Sequence, residues 1–530
     1  MRLSTLLEGV ETRKMNNGGA PDVEIGGLSI DSRRVRAGDL FFALRGGRAD
    51  GNAFIAQALG RGAAAVLTDD PRVNEIKAGS PVVIEVGDGR LALARIAANF
   101  TGNPSRRLSV AGVTGTNGKT TTALLIRQAL ERLGRKTGLI GTIKYIVGRQ
   151  EKAAAFTTPE APDFQSMLRG MLDAGQTHAV AEVSSHALAQ RRVDCTTFKT
   201  AVFTNLTRDH LDFHKTMEDY FEAKKRLFTE LLDKDPHAPA VINMDDPFGR
   251  RLARELSGKS PVLGFGTGDG SDIRAASIRN RASGLGFRIV FRGGSHAVNS
   301  ELVGAHNVYN LLSAFGAMIG LGVSADDAAA GIQCLEGVKG RFERVECGQD
   351  FLVVVDYAHT PDALQRLIGT ARAIIGDDYP QGDDCPRKDE TAGGPRMTAP
   401  AKIILVFGCG GDRDRGKRPE MGRIAAGMAD FVIVTSDNPR SEDPLSIIDQ
   451  IGKGMDDVKA GGKTLFIPDR AEAIRRAILS AGRADIVLIA GKGHEDYQEI
   501  NGVRHPFSDQ LVAAGALKEM AARGRRDAQA

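Results

Sequence analysis

Short apolar runs recur along the whole chain, each followed by a polar or glycine-rich turn and then by a stretch with helical spacing of its apolar positions. That alternation predicts parallel strands joined by helices. In the first hundred residues the runs Asp39–Leu44 and Ala63–Leu67 indicate a small α/β domain, and Thr101-Gly102-Asn103-Pro104 is the candidate linker that ends it. Strands are next expected at Leu108–Val113, His178–Val183, Thr200–Thr204 and Ala240–Ile242, with a helix over Thr121–Leu133. Gly337–Gly340 is the second candidate boundary. Beyond it strands are expected at Phe351–Asp356, Lys402–Phe407, Phe431–Thr435, Thr464–Ile467 and Asp485–Ala490, and Thr360 caps a helix that has Pro361 in its first position. The predicted class is α/β with three domains: a small N-terminal α/β domain over 1–105, a central mostly parallel P-loop-type sheet over 106–340, and a Rossmann-like domain over 341–530. Gly376–Pro400 is poor in apolar residues and rich in Asp, Gly and Pro, so it is expected as a loosely ordered insertion. The tail from Arg523 is expected to fray.

The run Gly115-Thr116-Asn117-Gly118-Lys119-Thr120-Thr121 lies between a strand and a helix start. Glycines there let backbone N–H groups turn onto phosphate oxygens, and the helix N-terminus adds positive potential. Lys119 is placed to reach terminal phosphates and Thr120 to ligate Mg²⁺. The usual pattern has glycine at position 113, where this chain has Val113. An ordinary glycine turn is the alternative, but Lys and Thr in register favour a nucleoside triphosphate.

Other chemistry-bearing residues also follow predicted strands. Glu182 precedes Val183-Ser184-Ser185-His186; with no G-x-S-x-G elbow, a metal-binding carboxylate is preferred over a hydrolase nucleophile. Asp209, His210, Asp212 and His214 crowd one short segment, and one imidazole is expected to help hold Mg²⁺ or Mn²⁺; a polar helix start is the alternative. Met217, Tyr220, Phe221, Leu227, Phe228 and Leu231 form one helical stripe, and Lys224 falls in its middle. A lysine buried there loses hydration, its pKa falls, and its neutral amine can react with CO₂ to give an anionic carbamate. A lysine snorkelling from the stripe's end is the other reading. Asp356 ends a strand as a candidate nucleotide or metal contact. Arg413 or Arg415 could clamp a carboxylate or phosphate. Asp437 and Arg440, in Asp437-Asn438-Pro439-Arg440, suit the ammonium and carboxylate of an amino acid, or else a turn with a solvated ion pair. Glu495 is a second candidate for an ammonium group.

Bulk composition narrows the field. The chain has 530 residues, too many for one core, with 42% hydrophobic and 26% charged residues. Its 70 basic and 66 acidic residues leave a net charge of +4, which argues for neither nucleic acid nor a membrane surface. The five cysteines are scattered without a C-x-x-C pair, against a disulfide framework or zinc finger. The first fourteen residues lack the apolar core of a signal peptide, and no apolar run reaches the length of about 18 residues needed to span a bilayer. A cytoplasmic monomer without nucleic-acid or membrane partners is expected.

Taken together, G-T-N-G-K-T-T, Thr157-Thr158-Pro159, E-V-S-S-H, D-H-L-D-F-H, Tyr220-x-x-Ala-Lys224, D-Y-A-H-T-P-D, G-D-R-D and D-N-P-R resemble the Mur ligase family over nearly the whole chain. The resemblance implies ATP-dependent addition of meso-2,6-diaminopimelate to the D-glutamate of UDP-N-acetylmuramoyl-L-alanyl-D-glutamate through an acyl phosphate, in peptidoglycan precursor synthesis. It implies two Mg²⁺ ions, one on Thr120, Glu182 and His210 and one on Lys224 as N6-carboxylysine, with Lys119, Lys224 and His210 catalytic. ATP contacts fall on Gly115 to Thr121, Asn307, Arg341 and Asp356. The UDP-peptide falls on Ser32, Gly47, Arg48, Ala49, Thr157, Thr158, Ser184, Gln190 and Arg192; this chain has Gly-Arg-Ala where related ligases often have His-Gln-Ala. Diaminopimelate falls on Arg413, Asp437, Asn438, Pro439, Arg440, Gly491 and Glu495, and Arg440 favours it over lysine. A ligase adding glutamate to folate or lysine to the same nucleotide, and a non-catalytic nucleotide switch, are the rival readings. The first is opposed by T-T-P and D-N-P-R, the second by the clustered acids and arginines at several strand ends.

Overall fold

The computed structural model describes residues 1–15, 22–46, 49–71, 82–235, 237–281, 284–333, 335, 337–378, 400–456 and 463–527. Among them the strands form three large sheets and one hairpin. The first sheet runs Thr12–Met15, Val82–Val86, Ala65–Thr68, Asp39–Ala43, Gly27–Ser29, parallel except for Thr12–Met15. The second has eleven strands. Its parallel core, from Ile273–Arg281 through Val262–Gly266, Ala240–Asn243, Thr200–Phe203, Ser109–Thr114 and His178–Glu182 to Thr137–Ile140, is bordered on each side by antiparallel strands. The third runs Glu343–Arg344, Leu352–Asp356, Ile486–Ala490, Ile403–Phe407, Phe431–Val434, Lys463–Phe466 and is parallel after its first member. The class is therefore mixed α/β with mostly parallel large sheets.

Burial explains the layers. Val110, Ala111, Val180, Val202 and Val241 are fully buried, as both faces of a parallel sheet require. On one face, Ala123, Leu125, Ile126 and Leu130 of helix Lys119–Arg132 pack with Leu311, Leu312 and Phe315 of helix Ala305–Gly320. On the other lie Phe164, Leu168, Tyr220, Phe221, Leu227 and Phe228. The helix carrying Lys224 spans Met217–Arg226 and then loosens into a π-helical turn, Leu227–Leu231, so the predicted stripe is real but not one uniform helix.

Three expectations shift. The border strands Lys144–Val147, Gln150–Ala153, Gly284–Phe291 and Gly294–Ser300 had not been predicted. Gln150–Ala153 is exposed throughout and offers no apolar period, whereas Leu285, Phe287, Ile289 and Phe291 alternate inward as a half-buried strand should. Helix Pro361–Asp378 carries through Gly376 into the first residues of the expected insertion; its residues 379–399 lie outside the described residues. The last helix runs Asp509–Asp527, past the expected fraying point at Arg523. Thr360 caps as expected, its Oγ1 accepting from Ala363 N at 3.3 Å.

Candidate active site

Strand Ser109–Thr114 is flanked on both sides by parallel strands, so the turn after it emerges at the carboxyl edge of the sheet, where ligands sit in such folds. Gly115 takes φ +145°, and a Cβ there would lie 1.9 Å from Thr204 Oγ1. Only glycine fits. Asn117 N donates to Asn205 Oδ1 at 2.9 Å, tying the turn to the neighbouring strand's end. Lys119 folds back, its Nζ donating to Gly115 O and Thr116 O, both at 2.9 Å. Thr121 is buried in the first turn of the helix.

Glu182, almost fully buried, gathers the hydroxyls around it. Thr120 Oγ1 and Thr142 Oγ1 donate to its Oε2 at 2.8 and 2.9 Å, and Thr142 N to its Oε1 at 2.7 Å. Thr157 Oγ1 lies 3.1 Å from Thr142 Oγ1. Thr158 Oγ1 donates to Glu182 O at 2.7 Å and accepts from Ser184 N at 3.1 Å, while Arg192 binds Thr158 O, Gln190 Oε1 and, as an ion pair, Glu160. Thr157, Thr158, Ser184, Gln190 and Arg192 are thus brought together. Nearby, Arg191 pairs with Asp88 at 2.8 Å. Ser32 is elsewhere, beside the first sheet and buried, donating to Gln57 Oε1 at 2.7 Å. Ala49 is exposed; Gly47 and Arg48 lie outside the described residues.

Lys224 is fully enclosed. Its Nζ donates to Gly115 O at 2.8 Å and sits 4.6 Å from the Tyr220 ring centroid. Burial, reinforced by the Lys119 charge, holds its amine well below the usual lysine range. Lys224 and Lys119 therefore meet on one carbonyl. His210, at φ +55°, packs edge-on to His186 with centroids 4.8 Å apart, and burial pushes its imidazole down towards the neutral form although Asp209 opposes this. Among the described residues no three His, Cys, Asp or Glu side chains stand ready as a metal cage.

A cavity of about 870 Å³ opens from the turn. Its walls include Thr116 to Thr121, Thr157, His210, Arg341, Asp356, Arg413, Asp437, Asn438, Arg440, Gly491 and Glu495. Asn307 does not line it: its Nδ2 donates to Val303 O at 2.8 Å, and its neighbours on the helix, His306, Tyr309 and Asn310, form the wall. Pro439 stays outside the lining, and Arg415 points away to Glu442 at 3.2 Å. Arg341 stacks 4.6 Å over Tyr357, and its buried Nε has no partner. Asp356 accepts from Phe342 N and Ala358 N at 2.7 and 2.8 Å; burial raises its pKa against the pull of Arg341.

At the far end, Asp437 is 8% exposed and its Oδ2 is unpartnered. A Cβ on Gly491 would come within 2.5 Å of that oxygen, so glycine keeps it open. Asn438 Nδ2 donates to Glu495 Oε2 at 2.8 Å, and Arg440 Nη1 to Gly411 O at 2.7 Å. Thr142, His359 and Lys417 belong to the site but had not been singled out. Lys417 Nζ donates to His359 O at 2.9 Å, and burial pushes the His359 imidazole down to about 4. The D-Y-A-H and G-K-R-P stretches held those two in plain view; Thr142 follows strand Thr137–Ile140, which had not been predicted.

The chain matches the Mur ligase middle domain over residues 113–318, the glutamate ligase domain of Mur ligases over 392–493, and the Mur ligase family catalytic domain over 24–101. It is 44% identical over 525 residues to the UDP-N-acetylmuramoyl-L-alanyl-D-glutamate--2,6-diaminopimelate ligase of Geobacter metallireducens, covering 96% of this chain and 97% of that one. It is also 44% identical to the protein of the same name from Geobacillus kaustophilus, covering 98% of this chain and 100% of that one. A solved structure titled as a ligase of that name superposes with a TM-score of 0.63 at 34% identity, over 94% of this chain and 95% of the other. Three family matches along the chain and near full-length identity above 40% agree: this chain belongs to the Mur ligase family.

Proposed function

We propose that the chain is an ATP-dependent ligase that joins meso-2,6-diaminopimelate to the D-glutamate of UDP-N-acetylmuramoyl-L-alanyl-D-glutamate, releasing ADP and phosphate. The observation that carries this reading is a single cavity with a phosphate turn at one end and Arg413, Arg440, Asp437 and Glu495 at the other. The near full-length likeness to ligases of that name supports it. We further propose the division 1–105, 106–340 and 341–530, supported by three large sheets that each draw their strands from one of these spans. Cytoplasmic residence as a monomer remains part of the proposal; no helix among the described residues is long and apolar enough to cross a membrane.

In this mechanism the γ-phosphoryl group passes to the glutamate carboxylate, giving an acyl phosphate and ADP. The free amine of diaminopimelate attacks, and the tetrahedral intermediate collapses to an amide and phosphate. The protein contributes mostly position and charge. Backbone N–H groups of the 115–119 turn hold phosphates, and Lys119 exchanges its two carbonyl partners for phosphate oxygens. Thr157, Thr158, Ser184, Gln190 and Arg192 hold the peptide, with Ser32 and the 47–49 segment on the uridine side. Asn307, Arg341 and Asp356 serve the nucleotide, Asn307 by bracing Asn310, whose Nδ2 donates to its Oδ1 at 2.8 Å. Arg413 and Arg440 take carboxylates; Asp437 and Glu495 take an ammonium.

The donor set, a threonine hydroxyl on a buried carboxylate together with an imidazole that burial pushes towards its neutral form, suits a hard divalent ion. Thr120, Glu182 and His210 would hold one Mg²⁺ and Lys224, as its carbamate, a second; the ions neutralise phosphate charge when bound. The neutral Lys224 amine forms the carbamate by adding to CO₂ with loss of one proton.

The test is phosphate release by purified protein given ATP, Mg²⁺ and the UDP-dipeptide, with meso-diaminopimelate or L-lysine in parallel. Release with diaminopimelate alone is expected. Release with lysine keeps the ligase and overturns the acceptor; release with neither sinks the reading.

A further inference from the structure

We propose that Lys492, which lies behind the cavity wall, tunes the acceptor end for a zwitterionic group over a bare ammonium; the proposal rests on the acceptor reading above. Lys492 is fully buried and is absent from the cavity lining. Its Nζ donates to Asn438 Oδ1 and Glu495 Oε2, each at 3.0 Å, and stands 5.4 Å from the Tyr497 ring centroid. It is a positioning residue.

Two consequences follow from its chemistry. An ammonium has donors only, so Asn438 must turn its oxygen towards Lys492. Glu499 N donates to the same oxygen at 2.9 Å and fixes the choice. The amide nitrogen of Asn438 is thereby aimed at Glu495 Oε2. That oxygen is occupied twice, and among the described residues Glu495 Oε1 has no partner. Asp437 is divided in the same way, with Oδ1 taken by Asn438 N at 2.7 Å and Oδ2 unpartnered. Each carboxylate keeps one oxygen for a ligand.

The second consequence is charge. Asp437, Glu495 and Glu499 face Arg413, Arg440 and Lys492, with Arg440 Nε 3.8 Å from Glu499 Oε2. Within this mixed cluster Lys492 is the cation bonded to Glu495, and neighbouring Arg470 is already spent on Asp509 at 2.7 Å. A ligand end bearing both ammonium and carboxylate adds no net charge where Glu495 is already offset by Lys492. Without Lys492 the Glu495 carboxylate has lost that cation, which suits an ammonium that has no carboxylate beside it.

The experiment compares Lys492→Met, which keeps length and apolar packing, with the wild type, using meso-diaminopimelate and L-lysine as acceptors. Expected is a KM for diaminopimelate raised roughly 10- to 100-fold, the range for losing one charge-assisted hydrogen bond. The KM for ATP should stay within about twofold, and the kcat/KM ratio should move towards L-lysine. An unchanged diaminopimelate KM, or equal proportional loss for both acceptors, overturns the proposal. If thermal unfolding shows that Lys492→Met does not fold, Lys492→Gln, which restores a donor without charge, is put through the same comparison; acceptor preference as in the wild type overturns the charge argument. Wild-type protein that turns over neither acceptor overturns the functional reading, a result distinct from any seen in the variants.

Discussion

Lys224 is the residue where burial does most for chemistry. Its amine has a carbonyl for a partner and Lys119 for a neighbour, and both burial and that charge favour the neutral form that CO₂ requires. Lys224→Ala should abolish ligation, and millimolar formate or acetate should restore a measurable part; full activity in the variant would remove Lys224 from the mechanism. The Glu442 pKa is also lowered, but in a carboxyl that favours the charged form. The guanidinium of fully buried Arg418 holds its carboxyl at about 2, against an ordinary 4.5. A carboxylate with a depressed pKa contributes stability that is complete above pH 4.5 and lost as pH falls towards 2. Glu442→Gln should therefore flatten the acid limb of a pH–stability curve measured by thermal unfolding; an unaltered limb would rule the pair out as its cause. Lys224 was legible because an apolar stripe surrounds it in sequence. Arg418 and Lys492 were not, because nothing local distinguishes a lysine or arginine that tertiary packing will enclose.

Among the elements, glycine turns and strand ends were read with small errors. Every strand of the third sheet but Glu343–Arg344 was placed within a residue of its observed ends; the inner ones are buried parallel strands and so read as continuous apolar runs bounded by polar turns, while Lys463–Phe466 is a partly exposed edge. Of the outer border strands, Gln150–Ala153 is exposed throughout and Gly294–Ser300 is only partly buried, so neither carries such a run. The last helix, Asp509–Asp527, packs through Ala513, Ala516 and Leu517 and is anchored at its first residue by a buried ion pair. Asp509 is fully buried and accepts from Arg470 Nε and Nη2 at 2.8 and 2.7 Å. Removing one partner strands a buried charge, so Asp509→Ala should cost about 3–5 kcal/mol and lower the thermal midpoint by several degrees. At the phosphate turn, Gly115→Ala has no room for its methyl group, and ATP binding measured by calorimetry should be lost.

Across the whole molecule, the nucleotide turn and the acceptor end belong to different sheets, and one side-chain bond joins the turn to the third sheet's first helix: Asn117 Nδ2 donates to Asp362 Oδ2 at 2.9 Å. Asp362→Ala should raise the KM for ATP about fivefold, the equivalent of ~1 kcal/mol, while leaving the thermal midpoint in place. An unchanged KM would show that the bond does not report the sheets' approach. Sequence motifs marked the two ends of the site separately. That they share one cavity depends on how the sheets meet, and no local pattern encodes it.

The place of strand Ser109–Thr114 within its sheet also governs how the protein is made. It pairs with His178–Glu182 on one side and Thr200–Phe203 on the other. As the chain leaves the ribosome, this strand has no partner until much later segments arrive, whereas the antiparallel strands from Ile273 to Ser300 close on one another almost at once. The turn at Gly115, tied to Asn205, therefore sets only after the 200–205 segment has been made, and a bound nucleotide stabilises a sheet whose central strands are already paired. Until that point the unpaired edges of this apolar strand are open to wrong pairing.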